Sequence, residues 1–373
     1  MSGIYIHIPF CKQKCYYCDF HFSVSLSRKD ALLQSIIKEL ELRKAEISQR
    51  VETIYFGGGT PSILTIEEIE LLIEAIYTNY KVIQNPEITL EANPDDLNLK
   101  KIRELAATKI NRLSIGIQSF FDEDLQYMNR AHNAKEALNS LELAKQYFDN
   151  ITIDLIYGIP NMTEARWKKN LETVFNLNIP HISAYALTVE SKTALASFIK
   201  KGKYSPLDEK QAQQHFKILI EKTKEQNYIA YEISNFGKKN YFSKHNTSYW
   251  QGKHYLGIGP SAHSYNGKTR SWNIASNAKY IKAIQQGNLP SETEQLTIND
   301  RFNEMIMTGL RTVWGVSLLQ IEQDFGLDYK ENLIKKIQKY LQNKTLYINN
   351  ETLLITDKGK FLADGIAADL FEI

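Results

Sequence analysis

The sequence predicts an α/β fold built on a partial (β/α)6 barrel, followed by a small helical unit of winged-helix type. Three observations predict it. Short β-branched runs alternate six times with amphipathic stretches in the first half of the 373-residue chain, which implies parallel strands joined by right-handed crossovers. Polar and glycine residues collect at the C-terminal ends of those runs, the face on which βα loops build a site. Towards the C-terminus the alternation gives way to three helices and a hairpin. Six units are too few for a closed eightfold barrel, and an open doubly wound sheet is the other arrangement this alternation permits.

The strands are expected at Ile4–Ile8, Thr53–Phe56, Glu87–Ala92, Arg112–Ile117, Ile151–Tyr157 and His181–Tyr185. Leu33, Ile36, Ile37 and Leu40 recur at i, i+3, i+4, i+7, one face of a helix, and Ile66, Ile69, Ile73 and Ile76 form a similar stripe. A long helix over Asp208–Gln226 leads to Tyr228–Ile233, then to a loop rich in Lys, Asn and aromatics, then to a strand or hairpin around Gly267–Trp272. Gly257-Ile-Gly259-Pro-Ser-Ala262 lacks the helix that a dinucleotide fingerprint requires, so it reads as a turn into a strand near the barrel mouth. Residues 1–290 form one expected unit and 297–373 the other. In the second, Asp300 reads as a helix N-cap. Helices follow over Leu318–Phe325 and Tyr329–Leu341. Leu346–Ile348 and Leu353–Ile355 pair about Asn349-Asn350, and a last helix starts from Asp357.

A net charge of +2 gives no electrostatic support for a nucleic-acid partner. No apolar run reaches the roughly 18 residues of a membrane span, so no integral membrane segment is expected. The N-terminus lacks a signal-peptide layout, and the free thiols suit a reducing compartment, so the expected location is cytoplasmic.

The three cysteines, Cys11, Cys15 and Cys18, make up the whole complement and fall within one short stretch as C-x3-C-x2-C. Three thiolates are one short of the four ligands that usually close an iron–sulfur cluster, which leaves one iron open to bind and reduce something. A Cys3His zinc site with His7 or His21 is the rival, but its usual form needs a second cysteine knuckle that this chain lacks. A 4Fe-4S cluster with an open iron can chelate the amino and carboxylate groups of S-adenosylmethionine and cleave its sulfonium. The glycine run Gly57-Gly58-Gly59-Thr60-Pro61 serves a complementary need, since Gly58 and Gly59 let backbone approach such a ligand closely. Glu91, Gln118, Arg130 and Asp154 supply two acceptors, an amide and a fork-shaped cation, which suit ribose hydroxyls and a carboxylate.

Tyr5-Ile-His-Ile-Pro-Phe-Cys11, the cysteine run, Gly57–Pro61, Glu91-Ala-Asn-Pro94, Ile115-Gly-Ile-Gln-Ser119, Asn129-Arg130 and Asp154–Pro160 together resemble the radical-SAM family of anaerobic coproporphyrinogen III oxidase. The resemblance covers nearly the whole chain. It implies a 4Fe-4S cluster on the three cysteines and S-adenosylmethionine held by Tyr5, Gly58, Gly59, Thr60, Glu91, Gln118, Arg130 and Asp154. Within that family the chain looks more like the haem-chaperone branch than the oxidases. The oxidases carry a further cysteine where this chain has Phe20, and a substantial extension before the cluster motif, which here starts at Tyr5. His245-Asn-Thr-Ser-Tyr249-Trp250 is similar to the HNxxYW motif associated with haem in that branch.

The chemistry of the motif fits, because imidazole is a normal axial ligand for haem iron and indole a flat apolar wall. His245 is the expected ligand, with His7, His254 and His263 as competitors. The resemblance implies a haem chaperone that inserts haem into acceptor proteins, respiratory haem proteins among them, with an electron donor for the cluster. It also allows a cluster-linked homodimer. Oxidative decarboxylation of coproporphyrinogen III, a step of porphyrin biosynthesis, is the competing activity of the same fold.

Overall fold

In the computed structural model, which describes residues 2–373, six parallel strands lie side by side in chain order. They are β1 (Ser2–Ile8), β2 (Val51–Gly58), β3 (Val82–Ala92), β4 (Arg112–Gln118), β5 (Ile151–Tyr157) and β6 (His181–Ala186). Side chains alternate across them, as the two-residue period requires. Ile4, Ile6, Ile8, Ile54 and Phe56 are fully buried in the main hydrophobic core. The intervening positions are polar. Tyr5, Tyr55, Glu91, Ser114, Asp154 and Ser183, one from each strand, line a single cavity of about 230 Å³. The wall is therefore curved into a partial barrel rather than spread as an open doubly wound sheet.

The outer helices form for local reasons. Helix Lys29–Leu42 buries Leu32, Leu33, Ile36 and Leu40. Helix Ile66–Asn79 starts from a capping box in which Thr65 and Glu68 satisfy each other's backbone N–H groups. The sheet continues past the six strands. Beyond β6 lie β7 (Ile229–Ala230) and β8 (Asn235–Gly237), with β8 antiparallel to β6. Beyond β1 lies β9 (His254–Ile258), parallel to it. An antiparallel run of β10 (His263–Tyr265), β11 (Thr269–Asn273) and β12 (Ser291–Gln295) completes twelve strands.

The loop expected around the HNxxYW motif is instead a helix, Lys244–Trp250. Its N-cap Ser243 accepts from Asn246 N, while the Glu87 carboxylate of β3 accepts from the backbone N–H groups of Lys244 (3.1 Å) and His245 (3.0 Å). Three acceptor contacts at the N-terminus hold a helix too short to show periodicity in the sequence.

The C-terminal unit has its own core, centred on Phe302, Ile306, Leu333, Ile337 and Leu353. Helices Ile298–Leu310, Leu318–Phe325 and Leu327–Gln342 pack with a three-stranded sheet of β13 (Val316–Ser317), β14 (Leu346–Asn349) and β15 (Thr352–Ile355). The first helix is capped by Thr297, not Asp300. Asp300 is the third helical residue and closes a capping box. The hairpin turns one residue later than expected, on Asn350 and Glu351, both with positive φ. The final helix starts at Ala363, after a short 3₁₀ turn over Lys360–Leu362. Among the described residues no helix is long and apolar enough to cross a membrane.

Candidate functional site

The loop after β1 carries Cys11, Cys15 and Cys18 as half-buried free thiols. It is pinned at both ends: Cys11 N donates to Ser23 O (3.1 Å) and Tyr16 N to Met128 O (3.1 Å). The C-terminal ends of three neighbouring strands converge on it. The Thr60 hydroxyl donates to Cys11 Sγ (3.5 Å), and Arg130 Nη1 donates to Cys15 Sγ (3.3 Å). Arg130 Nη2 also donates to Asn93 Oδ1 (2.7 Å) and Gly116 O (2.9 Å), which fixes the guanidinium between β3 and β4. Its Nε is buried with no hydrogen-bond partner among the described residues. A Cβ on Gly116 would lie 3.1 Å from Gln118 Nε2 and 3.2 Å from Arg130 Nη2, so the Gln118 amide and the guanidinium share one corner of the rim.

Burial pushes the Cys11 thiol up, and pushes Cys18 up to about 11 with Cys15 and Cys11 adding to the effect. Three soft sulfur donors on one short loop suit iron. By donor type these residues fit a cluster, although among the described residues no group of three such side chains is drawn together on one metal position. They do not favour zinc with a histidine. His7 has both ring nitrogens engaged, by the Tyr5 hydroxyl (3.0 Å) and His21 O (3.0 Å), and His21 Nε2 faces Asn277 Oδ1 (2.7 Å).

The glycine run also makes room for the protein's own chain. A Cβ on Gly59 would stand 2.6 Å from Phe10 O, and one on Gly58, at φ 110°, would stand 2.6 Å from the His7 ring. The missing side chain at Gly59 lets the backbone of the cluster loop cross the end of β2, and the one missing at Gly58 leaves room for the His7 ring.

Inside the barrel, Glu91 accepts from the Tyr55 hydroxyl (2.7 Å) and Gly58 N (3.1 Å). Burial raises its pKa to about 7; the Tyr55 hydrogen bond opposes the shift and nearby Asp154 adds to it. Burial likewise lifts Asp154 to about 6, against the pull of Ser183 and Arg130. Two carboxyls sharing one enclosed space near neutrality can each act as donor or acceptor. Tyr55, Arg112, Thr152, His181 and Ser183 line the same cavity and were not singled out from the sequence. Their signal was present: polar residues at every second position of otherwise β-branched strands.

His245 is 1% exposed and sits at the opposite, N-terminal end of the barrel, against Gly3. Its Nδ1 lies 2.7 Å from Thr53 Oγ1 and its Nε2 2.7 Å from the Tyr249 hydroxyl, so both ring nitrogens are engaged. Burial lowers its pKa to about 3, which keeps the ring neutral. Tyr249 and Trp250 instead reach a cleft of about 980 Å³ between the sheet edge and the C-terminal unit. Arg311 lies 5.3 Å over the Trp250 ring, and the indole N–H is buried without a hydrogen-bond partner among the described residues. The cleft is walled by Phe20, Tyr255, Tyr265, Trp314 and Phe325, with Arg270 and Arg301 also lining it. His263 lines it too, while His254 is exposed on β9 outside it. The sequence reading did not find this cleft, because its walls come from segments more than 300 residues apart, from Tyr5 to Phe325.

The chain matches the family model of the Radical SAM superfamily over residues 5–174 and that of the HemN C-terminal domain over residues 296–362. It is 34% identical to heme chaperone HemW of Bacillus subtilis over 98% of each chain. It is likewise 34% identical to heme chaperone HemW of Lactococcus lactis, again over 98% of each. A mitochondrial radical S-adenosyl methionine domain-containing protein 1 of Bos taurus is 28% identical over 99% of this chain and 87% of that protein. Among solved structures, coproporphyrinogen III oxidase (HemN) of Escherichia coli superposes with a TM-score of 0.85 at 23% identity, covering 99% of this chain and 90% of that one. That likeness establishes the shared fold.

Proposed function

The chain belongs to the HemW-type family of radical SAM proteins, and on that premise we propose that it binds a 4Fe-4S cluster, S-adenosylmethionine and haem, and delivers haem to acceptor proteins. In this reading Cys11, Cys15 and Cys18 hold the cluster, with Arg130 and Thr60 donating to two of the sulfurs. The cluster supplies an electron and one open iron. Tyr5, Gly58, Gly59, Thr60, Glu91, Gln118, Arg130 and Asp154 surround S-adenosylmethionine at the rim and in the upper cavity. Residues 1–290 and 297–373 act as two units, which their separate cores support. The free thiols favour a reducing compartment, so the proposal places the protein in the cytoplasm.

The observation that carries the haem reading is the cleft. Haem is a flat apolar disc bearing two carboxylates. A site for it needs aromatic walls, cations and a volume near the upper end of the ~300–1,000 Å³ usual for small-molecule sites. The cleft offers Trp250, Tyr255, Tyr265 and Trp314 as walls, with Arg301 as a cation that has no ion-pair partner among the described residues and Arg270 paired to Glu304, which also lines it. Asp19, Phe20 and His21 of the cluster loop border it, so haem would lie beside the cluster. Tyr249 and Trp250 meet the haem, while His245 secures Tyr249 from within the barrel. For His245 itself to take the iron, Tyr249 or Thr53 would first have to release its hydrogen bond.

Mixing the haem-loaded, cluster-reconstituted protein with an apo haem protein tests the reading. Transfer should appear as the growth of the acceptor's own Soret band. Failure to bind or release haem, with protoporphyrinogen formed from coproporphyrinogen III, S-adenosylmethionine and reductant, would favour the oxidase.

A further inference from the structure

Gly257 and Gly259 play no part in the function proposed above, yet the structure builds a great deal around them. A Cβ on Gly257 would stand 2.0 Å from His263 O, and one on Gly259, at φ 102°, would stand 2.6 Å from His7 O. Both glycines therefore exist so that other backbone can cross them. At Gly257 the crossing chain is the start of β10, and its first residue is His263.

The crossing is locked by a buried polar network. Ser264 Oγ accepts from Gly257 N (2.9 Å), and Arg43 donates to both Gly257 O (2.9 Å) and Ser264 Oγ (3.2 Å). Glu39, wholly buried, accepts from Gly259 N (2.8 Å), Asn273 Nδ2 (2.7 Å) and the Tyr280 hydroxyl (2.5 Å). Such a densely bonded network fixes backbone in one arrangement, although Asn273 Oδ1 is left without a partner among the described residues. It holds Ser264 on one side of His263, and Asn273 N donates to Ala262 O (2.9 Å) on the other, while the His263 ring itself lies outside the network.

That ring is exposed in the cleft, and among the described residues no hydrogen bond engages either of its nitrogens. Its one ring contact is Trp272, opposite it on β11, at 6.1 Å between centroids. The other histidines differ. His245 and His7 are buried with both nitrogens bonded, His21 has Nε2 on Asn277, and His254 does not line the cleft. Arg301 lines the same cleft from the C-terminal unit and has no ion-pair partner among the described residues, whereas Arg270 is paired with Glu304.

We propose that His263 is the axial ligand of haem iron in the cleft between the barrel and the C-terminal unit, with Arg301 taking a propionate. This rests on the haem-binding reading. The ligand is placed by the Gly257–Gly259 crossing, and haem contacts both units at once.

The test is haemin titration of the full-length, anaerobically reconstituted protein, read by its Soret band, with the variants His263→Gly, His245→Ala and Arg301→Gln. His263→Gly should shift the Soret maximum and weaken haem retention tenfold or more while the iron–sulfur absorption stays at wild type. Added imidazole should restore the wild-type maximum, which a merely structural role would not produce. Arg301→Gln should weaken retention several-fold without moving the maximum. An unshifted spectrum in His263→Gly, or a shift seen only in His245→Ala, would overturn the assignment alone. Absence of saturable haem binding in wild type would overturn the haem reading and this inference together.

Discussion

The barrel interior and the interdomain cleft are built on opposite principles. The interior is small, about 230 Å³, and many of its polar groups already have partners: Glu91 with Tyr55 and Gly58, His245 with Thr53 and Tyr249, His181 with Thr152 and Tyr231. The cleft is some 980 Å³, aromatic, and among the described residues its His263 ring nitrogens have no hydrogen bond, its Arg301 guanidinium no ion pair and the Trp250 indole N–H no partner. A satisfied interior specifies a rigid shape. Unengaged donors and acceptors beside flat apolar walls mark where something else binds. The haem motif spans the two regions, with His245 on the structural side and Tyr249 and Trp250 on the binding side.

The largest expected effects test the rim that joins the regions. Replacing any one of Cys11, Cys15 or Cys18 by Ser should abolish the brown colour and nearly all iron after anaerobic reconstitution, read by absorption and iron analysis. Haem binding in the cleft should persist, which separates the two sites. Gly59→Val comes next. Its side chain would collide with the Phe10 carbonyl, so it should lose the cluster together with S-adenosylmethionine binding. A Gly59→Val protein with an intact cluster and weakened S-adenosylmethionine binding by calorimetry would return the glycine to a purely ligand-facing role.

A smaller effect concerns the interior. Folding lifts Glu91 from the ordinary carboxylate range to about 7 and Asp154 to about 6, so over that window the folded state holds protons that the unfolded state has released. That contribution to stability is fully present at acid pH and is lost as pH rises through 6 to 7. The protein without cofactors should therefore melt at lower temperature at pH 8 than at pH 5.5 if this pair dominates, and Glu91→Gln should reduce the difference. A pH dependence left unchanged by Glu91→Gln would show that Glu91 is not its source. The smallest effect is Trp250→Ala, which removes the Arg311 stacking contact and a cleft wall, the wall worth about 1 kcal/mol of contact with a flat aromatic ligand. Haem retention should fall about fivefold with the cluster spectrum unchanged.

What could be read in advance follows the same division. The cluster cysteines and glycine run are contiguous and end strands whose β-branched periods are plain, so their placement on one rim was legible. The six strands were legible to within a few residues. The Lys244–Trp250 helix was not, because seven residues show less than two full helical periods and its start depends on Glu87, far away in the chain. Asp300 was mistaken for a cap because in a capping box either end carries an acceptor, and only the geometry shows that Thr297 begins the helix. The cleft could not be read at all, since it exists only once the C-terminal unit docks against β9 to β11. His263 was visible only as one histidine among several. Its distinction lies in the crossing at Gly257 and in the bonds its competitors make.

The most direct measurement is Mössbauer and optical spectroscopy on one sample reconstituted anaerobically with ⁵⁷Fe and then titrated with unlabelled haemin. A cluster on the three cysteines and haem in a separate cleft should give about four labelled irons per chain in a cubane signal. One equivalent of haem should then add a saturable Soret band without altering that signal. A Soret band that grows only as the cluster signal is lost would contradict two sites. A sample that binds no haem would contradict the proposed function itself.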